Sequence, residues 1–224
     1  MPNESFQDDG REDQMRALFG MRKDESEGRS GIDAYLDING VSIPFELKTT
    51  SDKRNSVTTV RDFGPEHIKK WAGKHWLFGF YANGDIYYKY ATPEMMKPWI
   101  DDMENYISPD FKLAEISNQN LELEDLYKIF PKKSVYTLED AKSLQKRQYL
   151  ASKYLELQDI SGGYSPARML QILRERLRYL VERGSTLNNP HIPGSYFEKW
   201  EKITQDHEIH LRKMATKYLE KPNP

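Results

Sequence analysis

The chain has 224 residues, of which 38% are hydrophobic and 30% charged, with a formal net charge of −2 and no cysteine. This composition is typical of a soluble globular protein, and it excludes a disulfide framework, a thiolate metal site and a cysteine nucleophile. No apolar run approaches the roughly 18 residues that a membrane span needs, and no secretory signal opens the sequence, so we expect a cytoplasmic protein without a membrane partner.

The near-neutral total hides an uneven distribution of charge. Residues 85–125 contain ten acidic and three basic side chains, whereas residues 131–183 contain eleven basic and six acidic ones. A molecule polarised in this way can meet phosphates with one side only. Solvated helix faces explain the pattern equally well, so the charge permits DNA binding without requiring it.

A helix followed by a β-hairpin is predicted at the start of the chain. Apolar residues at helical spacing predict a helix near residues 9–22, and the glycines within 28–31 break it. Residues 31–48 then alternate between apolar and polar side chains about Asn39-Gly40, which is a strong hairpin signal.

The remaining elements follow at short intervals. They are a third strand or its approach at 56–60, a short helix at 65–74, strands at 75–82 and 85–91, and helices near 93–105, 137–157, 165–183 and 195–219. The sequence therefore predicts an α/β (α+β) protein, with a mixed-sheet core in residues 1–92 and a mainly helical region in residues 93–224.

The two-residue turn determines which hairpin side chains share a face. The apolar partners are Ile38 with Val41, Leu36 with Ile43, Ala34 with Phe45, and Ile32 with Leu47. The opposite face places Asp33 directly across from Glu46, with Lys48 two residues further along. The Cβ atoms of such a pair are about 4.5–5.5 Å apart.

Two carboxylates at this separation repel each other and need a positive partner. Lys48 supplies one charge, and a divalent cation between Asp33 and Glu46 would supply more. Two hard oxygen ligands suit Mg²⁺ or Mn²⁺, with the carbonyl of Leu47 as a further candidate ligand. Lys48 could then position the attacking water or stabilise charge on a phosphate. A solvated hairpin that carries these residues by chance is the structural alternative.

These residues carry a resemblance to a known family. The run Gly31-Ile32-Asp33, followed by Phe45-Glu46-Leu47-Lys48-Thr49-Thr50, resembles the PD-(D/E)XK nuclease superfamily and, within it, the type II restriction endonucleases. The resemblance covers residues 9–82, where the predicted element order matches the αβββαβ restriction-endonuclease-like core. It implies that the two acids bind Mg²⁺ and that the lysine is catalytic.

The same resemblance implies a further acid from the preceding helix, as in many members of the superfamily. Glu12 is the best-placed match, with Asp13, Glu25 and Glu27 as rivals. Ile32 stands where the family's motif has proline, a common departure.

Eleven polar or basic residues are candidate DNA contacts. They are Thr50, Ser51, Lys53, Arg54 and Asn55 after the catalytic strand, Arg61, His67 and Lys70 around the next helix, and Arg168, Arg174 and Arg178 on the helix near 165–183. An ordinary surface loop explains the first group as well, and neighbouring glutamates can compensate the last.

The sequence as a whole predicts a type II restriction endonuclease. It would hydrolyse double-stranded DNA at a short specific site with a Mg²⁺-activated water, and Mn²⁺ is expected to substitute. A symmetric site would imply a homodimer, with residues 93–224 serving DNA binding or dimerisation. The alternatives are a structure-specific repair or recombination nuclease of the same core, and a non-catalytic DNA-binding protein on a nuclease-like core.

Overall fold

The computed structural model describes residues 4–24, 26, 31–82 and 84–220, with side chains from residue 10 onward. In its first part the elements are α1 (Glu4–Leu18), β1 (Ala34–Ile38), β2 (Val41–Thr50), β3 (Val57–Thr58), α2 (Pro65–Trp71), β4 (His75–Phe80) and β5 (Tyr87–Ala91). The predicted order of helices and strands is therefore found, although several bounds differ. The helix break predicted at 28–31 lies mostly outside the described residues.

Glycines with positive φ follow the ends of the first two helices. Gly20, with a φ of 63°, comes just after α1, and Gly73, with a φ of 72°, comes just after α2. Such residues suit the left-handed conformation that closes a helix. They explain why both helices end a few residues earlier than predicted.

A four-stranded mixed sheet forms the centre of this part of the chain. The strand order is β1-β2-β4-β5, with β2 and β4 parallel and the two outer pairings antiparallel. All six residues of β4 are buried, as expected for a central strand covered on both faces. The protein is thus a mixed α+β fold, and α2 makes the crossover between the two central strands.

The run predicted as a third strand of the core does not join this sheet. Only Val57 and Thr58 are extended, and they pair with β6 (His191–Ile192) in a separate two-stranded sheet. The β-branched residues indicated a strand, but its partner lies more than 130 positions away along the chain. Local sequence pattern therefore could not show which sheet it enters.

The hairpin has the predicted register. Asn39 and Gly40 both have positive φ (50° and 79°), as a two-residue type I′ turn requires. Ala34 pairs with Phe45, and the ladder continues to Ile38 and Val41 beside the turn. The predicted apolar face is found, but not all of it is buried: Val41 is 50% exposed at the turn, and Ile32 is only half-buried. The predicted pairs of Ile32 with Leu47 and of Asp33 with Glu46 lie beyond the ladder, which starts at Ala34 and Phe45.

Helices dominate the rest of the chain. They are α3 (Pro93–Gln119), α4 (Leu123–Ile129), α5 (Leu138–Leu144), α6 (Ala151–Glu156), α7 (Pro166–Gly184) and α8 (His207–Leu219). The helix predicted at 137–157 is two helices, because Lys146 and Arg147 adopt positive φ between them. The helix predicted at 195–219 begins only at His207, after a short 3-10 helix at Gly194–Phe197. No helix in the described ranges combines the length and apolarity needed to span a bilayer.

The contacts divide the chain into two compact units. One comprises Met1–Glu104 with Leu187–Pro224, and the other Asn105–Thr186. This division differs from the predicted boundary at residue 92, because the last segment belongs to the first unit. Leu211 and Ala215 of α8 are fully buried in the same core as Met15 and Phe19. Tyr136, Tyr164 and Met169 lie in the core of the second unit.

Candidate active site

Asp33 is held at the open end of the hairpin by two hydrogen bonds. Strand β1 begins one residue later, at Ala34. The Asp33 carboxylate accepts the backbone N–H of Leu47 through Oδ2 at 3.0 Å, and the Asp33 carbonyl accepts a hydrogen bond from Arg16 Nη1 at 3.0 Å. The acid is therefore fixed to β2 on one side and to α1 on the other.

Glu46 lies in the middle of the central strand β2 and is only 1% exposed. Its Oε1 lies 2.9 Å from Lys48 Nζ, and its Oε2 lies 3.8 Å from Lys70 Nζ and 3.5 Å from Lys74 Nζ. Burial by itself would raise the pKa of Glu46, but the positive charges of Lys48 and Lys70 lower it to about 2. The buried group is accordingly a carboxylate at neutral pH.

Lys48 joins the two acids. Its Nζ lies 2.9 Å from Glu46 Oε1 and 3.7 Å from Asp33 Oδ2, and it donates a hydrogen bond to the carbonyl of Leu47 at 2.9 Å. Burial disfavours the charged form, but the charges of Glu46 and Asp33 outweigh it and hold the pKa of Lys48 above its usual value. Lys48 is thus an ammonium at neutral pH, able to donate protons in hydrogen bonds and to stabilise negative charge.

Lys70 also lies within ion-pair distance of both acids. Its Nζ is 3.7 Å from Asp33 Oδ1 and 3.8 Å from Glu46 Oε2. Because two ammonium nitrogens are each shared by the same two carboxylates, the side chains of Asp33 and Glu46 point to the same side of the hairpin. We refer to Asp33, Glu46, Lys48, Lys70 and Lys74 as the acid–lysine cluster.

Sequence reasoning missed the contacts that Lys70 and Lys74 make with Glu46. Lys70 was expected to contact DNA, and Lys74 was not singled out. Lys70 lies near the end of α2 and Lys74 directly before β4, and both ammonium groups lie within 4 Å of Glu46, on the strand that pairs with β4. No local sequence pattern pointed to the contact of Lys74, which lies after the end of α2 and directly before β4.

The acid expected from the preceding helix lies close to the cluster. Glu12 Oε2 is 3.9 Å from Arg16 Nη1, the same side chain that holds the Asp33 carbonyl. The charge of Glu12 also contributes to the raised pKa of Lys48. Its rival Asp13 pairs with Arg16 as well, whereas Glu25 and Glu27 lie outside the described residues.

The donor set at the cluster fits a hard divalent cation. Two carboxylates and the carbonyl of Leu47 meet at one place, and all three provide oxygen, which Mg²⁺ and Mn²⁺ prefer. Within the described ranges no group of three or more histidine, cysteine or acidic side chains is arranged for a metal. Asp33, Glu46 and the carbonyl of Leu47 stay the candidate ligands, as a prediction.

Five of the candidate DNA contacts lie at the end of β2 and in the loop that follows it, one in the strand and four in the loop. Ser51, Lys53 and Arg54 are exposed and Asn55 is half-buried. Thr50 is buried, donates to the carbonyl of Ser56 at 2.7 Å and accepts the N–H of Asp52 at 3.0 Å. Thr50 therefore shapes the loop, while the exposed residues present their side chains to solvent a few positions beyond Lys48.

Two further candidates, Arg61 and His67, lie around the start of α2. Arg61 is exposed. His67 accepts the backbone N–H of Gly64 through Nδ1 at 3.3 Å and stacks on Phe63 with a centroid separation of 6.0 Å. Burial and the charge of Lys70 lower the pKa of His67. His67 thus stabilises the first turn of α2 as a neutral ring.

The three candidate arginines of α7 make contacts inside the second unit. Arg168 Nη1 donates to Gln171 at 2.7 Å, and Arg174 Nη2 donates to the carbonyl of Leu121 at 2.7 Å. Arg178 lies 2.6 Å from Glu182 and 3.9 Å from Glu115. These contacts all lie within the second unit, and the predicted contact of the three arginines with DNA stays a prediction.

Comparison with known proteins adds no relative. Neither the protein-family models nor the curated proteins give a match to this chain.

Proposed function

We propose that this chain is a Mg²⁺-dependent endonuclease that hydrolyses phosphodiester bonds in double-stranded DNA, in the manner of a type II restriction endonuclease. The observation that carries the proposal is the convergence of Asp33 and Glu46 on the same ammonium groups, with Lys48 in contact with both acids. Because these three side chains share one face, one cation could bind both acids while Lys48 stays beside them.

The residues of the cluster would have different roles in catalysis. Asp33, Glu46 and the Leu47 carbonyl would hold the cation, which supplies charge stabilisation at the phosphate and activates water. Lys48 keeps its proton and donates hydrogen bonds, so it would orient the attacking water or stabilise negative charge that develops on the phosphate. Glu12 would act through Arg16, with which it forms an ion pair at 3.9 Å, and its negative charge would help keep Lys48 protonated.

DNA is the substrate that the surroundings of the cluster favour. The resemblance to the nuclease superfamily implies DNA as the substrate. In addition, the exposed side chains of Lys53 and Arg54 lie shortly after the strand that carries Glu46 and Lys48. Such groups contact phosphates and base edges. If the target sequence is symmetric, two copies of the chain would each cut one strand.

A non-catalytic DNA-binding protein is the second candidate, and one observation favours it. Three ammonium groups surround two carboxylates, so the cluster is charge-compensated without any metal. A network of this kind can serve structure alone. Its prediction differs clearly from ours, since DNA binding would then be indifferent to Mg²⁺ and no product would form.

Incubation of supercoiled plasmid with the purified chain, with Mg²⁺ or with EDTA, separates these functions. We expect nicked and linear products with Mg²⁺ and none with EDTA. A large linear DNA should give discrete, reproducible fragments, whereas cutting only at branches or ends would indicate a repair or recombination nuclease. Intact DNA at every Mg²⁺ concentration, together with retained binding, would support the non-catalytic alternative.

A further inference from the structure

Lys70 differs from the other two lysines of the cluster in how it is held. Its distances to the acids, 3.7 Å to Asp33 and 3.8 Å to Glu46, are ion-pair distances too long for hydrogen bonds. Its side chain is 27% exposed, compared with 14% for Lys48 and 5% for Lys74. Lys70 is therefore the most accessible and the most loosely bound of the three.

The position of Lys70 is also distinctive. Lys48 touches both acids but is anchored by its hydrogen bond to the Leu47 carbonyl, and Lys74 pairs with Glu46. Lys70 approaches the second oxygen of each acid, Oδ1 of Asp33 and Oε2 of Glu46. A cation that binds both carboxylates must compete with the Lys70 ammonium for these oxygens.

We propose that Lys70 is a displaceable counter-cation: its ammonium holds the two carboxylates before the divalent ion binds, leaves them when the ion arrives, and then pairs with a phosphate of the bound DNA. This inference rests on the proposed function, because it takes the two acids as ligands of the divalent ion. It assigns Lys70 two successive partners, whereas Lys48 and Lys74 keep theirs.

Charge balance gives the physical reason for the exchange. Two carboxylates with three ammonium groups already carry an excess of positive charge, and a divalent ion increases it. Release of the most accessible of the three ammonium groups lowers that repulsion, and a DNA phosphate offers it a new negative partner. Because the Lys70 side chain is already partly exposed near the end of α2, it can turn toward solvent without any movement of the strands.

Two measurements on Lys70→Met test the exchange in opposite directions. The first is Mn²⁺ binding in the absence of DNA. Binding is measured as the decrease in the electron paramagnetic resonance signal of free Mn²⁺. Removal of a unit charge roughly 6 Å from a divalent ion changes affinity about tenfold even at the dielectric of water. We therefore expect Lys70→Met to bind Mn²⁺ about tenfold more tightly than the unmodified chain.

The second measurement is single-turnover cleavage of plasmid at saturating Mg²⁺, where metal affinity no longer matters. Here Lys70→Met should be slower by about tenfold or more, because a phosphate contact has been lost. A residue that only supports the fold would weaken both properties together. Lys69→Met is the matched control, since Lys69 is an exposed neighbour paired with Glu66, and it should leave both values within twofold.

Lys70→Gln provides the same test if the methionine variant fails to fold, because it also removes the charge. Unchanged or weaker Mn²⁺ binding in the folded Lys70 variants would overturn the exchange, while cleavage by the unmodified chain would still stand. If the unmodified chain neither binds Mn²⁺ nor cuts DNA, the exchange and the proposed function are both overturned.

Discussion

The carboxylate of Asp33 accepts the backbone N–H of Leu47 at 3.0 Å. In a continued antiparallel ladder this N–H would face the carbonyl of residue 32, so the Asp33 side chain takes the place of a backbone acceptor. The interaction lies directly before the first residue of β1 and holds the acid against β2. It therefore links the beginning of a strand to the position of a candidate metal ligand.

Replacement of Lys48 by methionine tests its role as a charged donor. Glu46 retains Lys70 and Lys74 in this variant, so we expect the chain to fold and to bind DNA. Loss of one preorganised donor should slow plasmid cleavage by at least about 100-fold. Lys53→Met is the control on the neighbouring loop, and it should affect DNA binding rather than the single-turnover rate. Equal cleavage by the Lys48 variant and the unmodified chain would contradict the assignment.

A double-mutant cycle on Glu46 and Lys74 tests the buried ion pair. Glu46→Gln leaves Lys74, which is 4% exposed, without its carboxylate, and loss of one partner of a buried pair costs about 3–5 kcal/mol. Adding Lys74→Met removes the unpaired charge, so the double variant should unfold at a higher denaturant concentration than Glu46→Gln alone. The coupling should be about 1–3 kcal/mol in the free energy of unfolding. Additive effects would show that the two groups do not interact.

The buried His75 predicts a pH dependence of stability unrelated to catalysis. Its Nδ1 lies 2.6 Å from the hydroxyl of Tyr90, and burial lowers the pKa of His75 from 6.5 to about 4. The unfolded chain therefore takes up a proton more readily, and the stability contributed by the neutral ring is complete above pH 6.5 and lost as the pH falls toward 4.

This contribution amounts to about 2 kcal/mol between pH 7 and pH 5. Denaturant unfolding of His75→Gln and of the unmodified chain at both pH values measures it. The variant should lose less stability than the unmodified chain by that amount. An identical loss in both proteins would exclude His75 as the group responsible.

Gly194 connects the small sheet to the loop that follows β2. A Cβ at this position would lie 2.1 Å from the carbonyl oxygen of Arg54, so Gly194→Ala must move the backbone of that loop. We expect a loss of about 1–3 kcal/mol in unfolding free energy and weaker DNA binding. Gly10→Ala is the control, because a Cβ there meets nothing within 4 Å. Unchanged DNA affinity in Gly194→Ala would separate the loop from DNA recognition.

The hairpin and its shared acidic face could be predicted because every signal that sets them is local. A two-residue turn fixes the register, and the register fixes the faces. The contacts of Lys70 and Lys74 could not be predicted in the same way, since they depend on how α2 crosses the sheet. The pairing of β3 with β6 and the return of α8 to the first core depend on residues far apart in the chain. Their amphipathic patterns indicate burial without naming the partner.

Plasmid nicking by two variants of the same hairpin tests the central claim most directly. Asp33 and Asp37 both lie on its polar side, but Asp37 is exposed and paired with Arg22 at 2.9 Å, away from the acid–lysine cluster. With Mg²⁺ present, we predict that Asp37→Asn cuts plasmid at the rate of the unmodified chain. Asp33→Asn, once circular dichroism has shown that it is folded, should give no more nicks than a protein-free control. Mg²⁺-dependent cutting by Asp33→Asn at the unmodified rate would contradict the account.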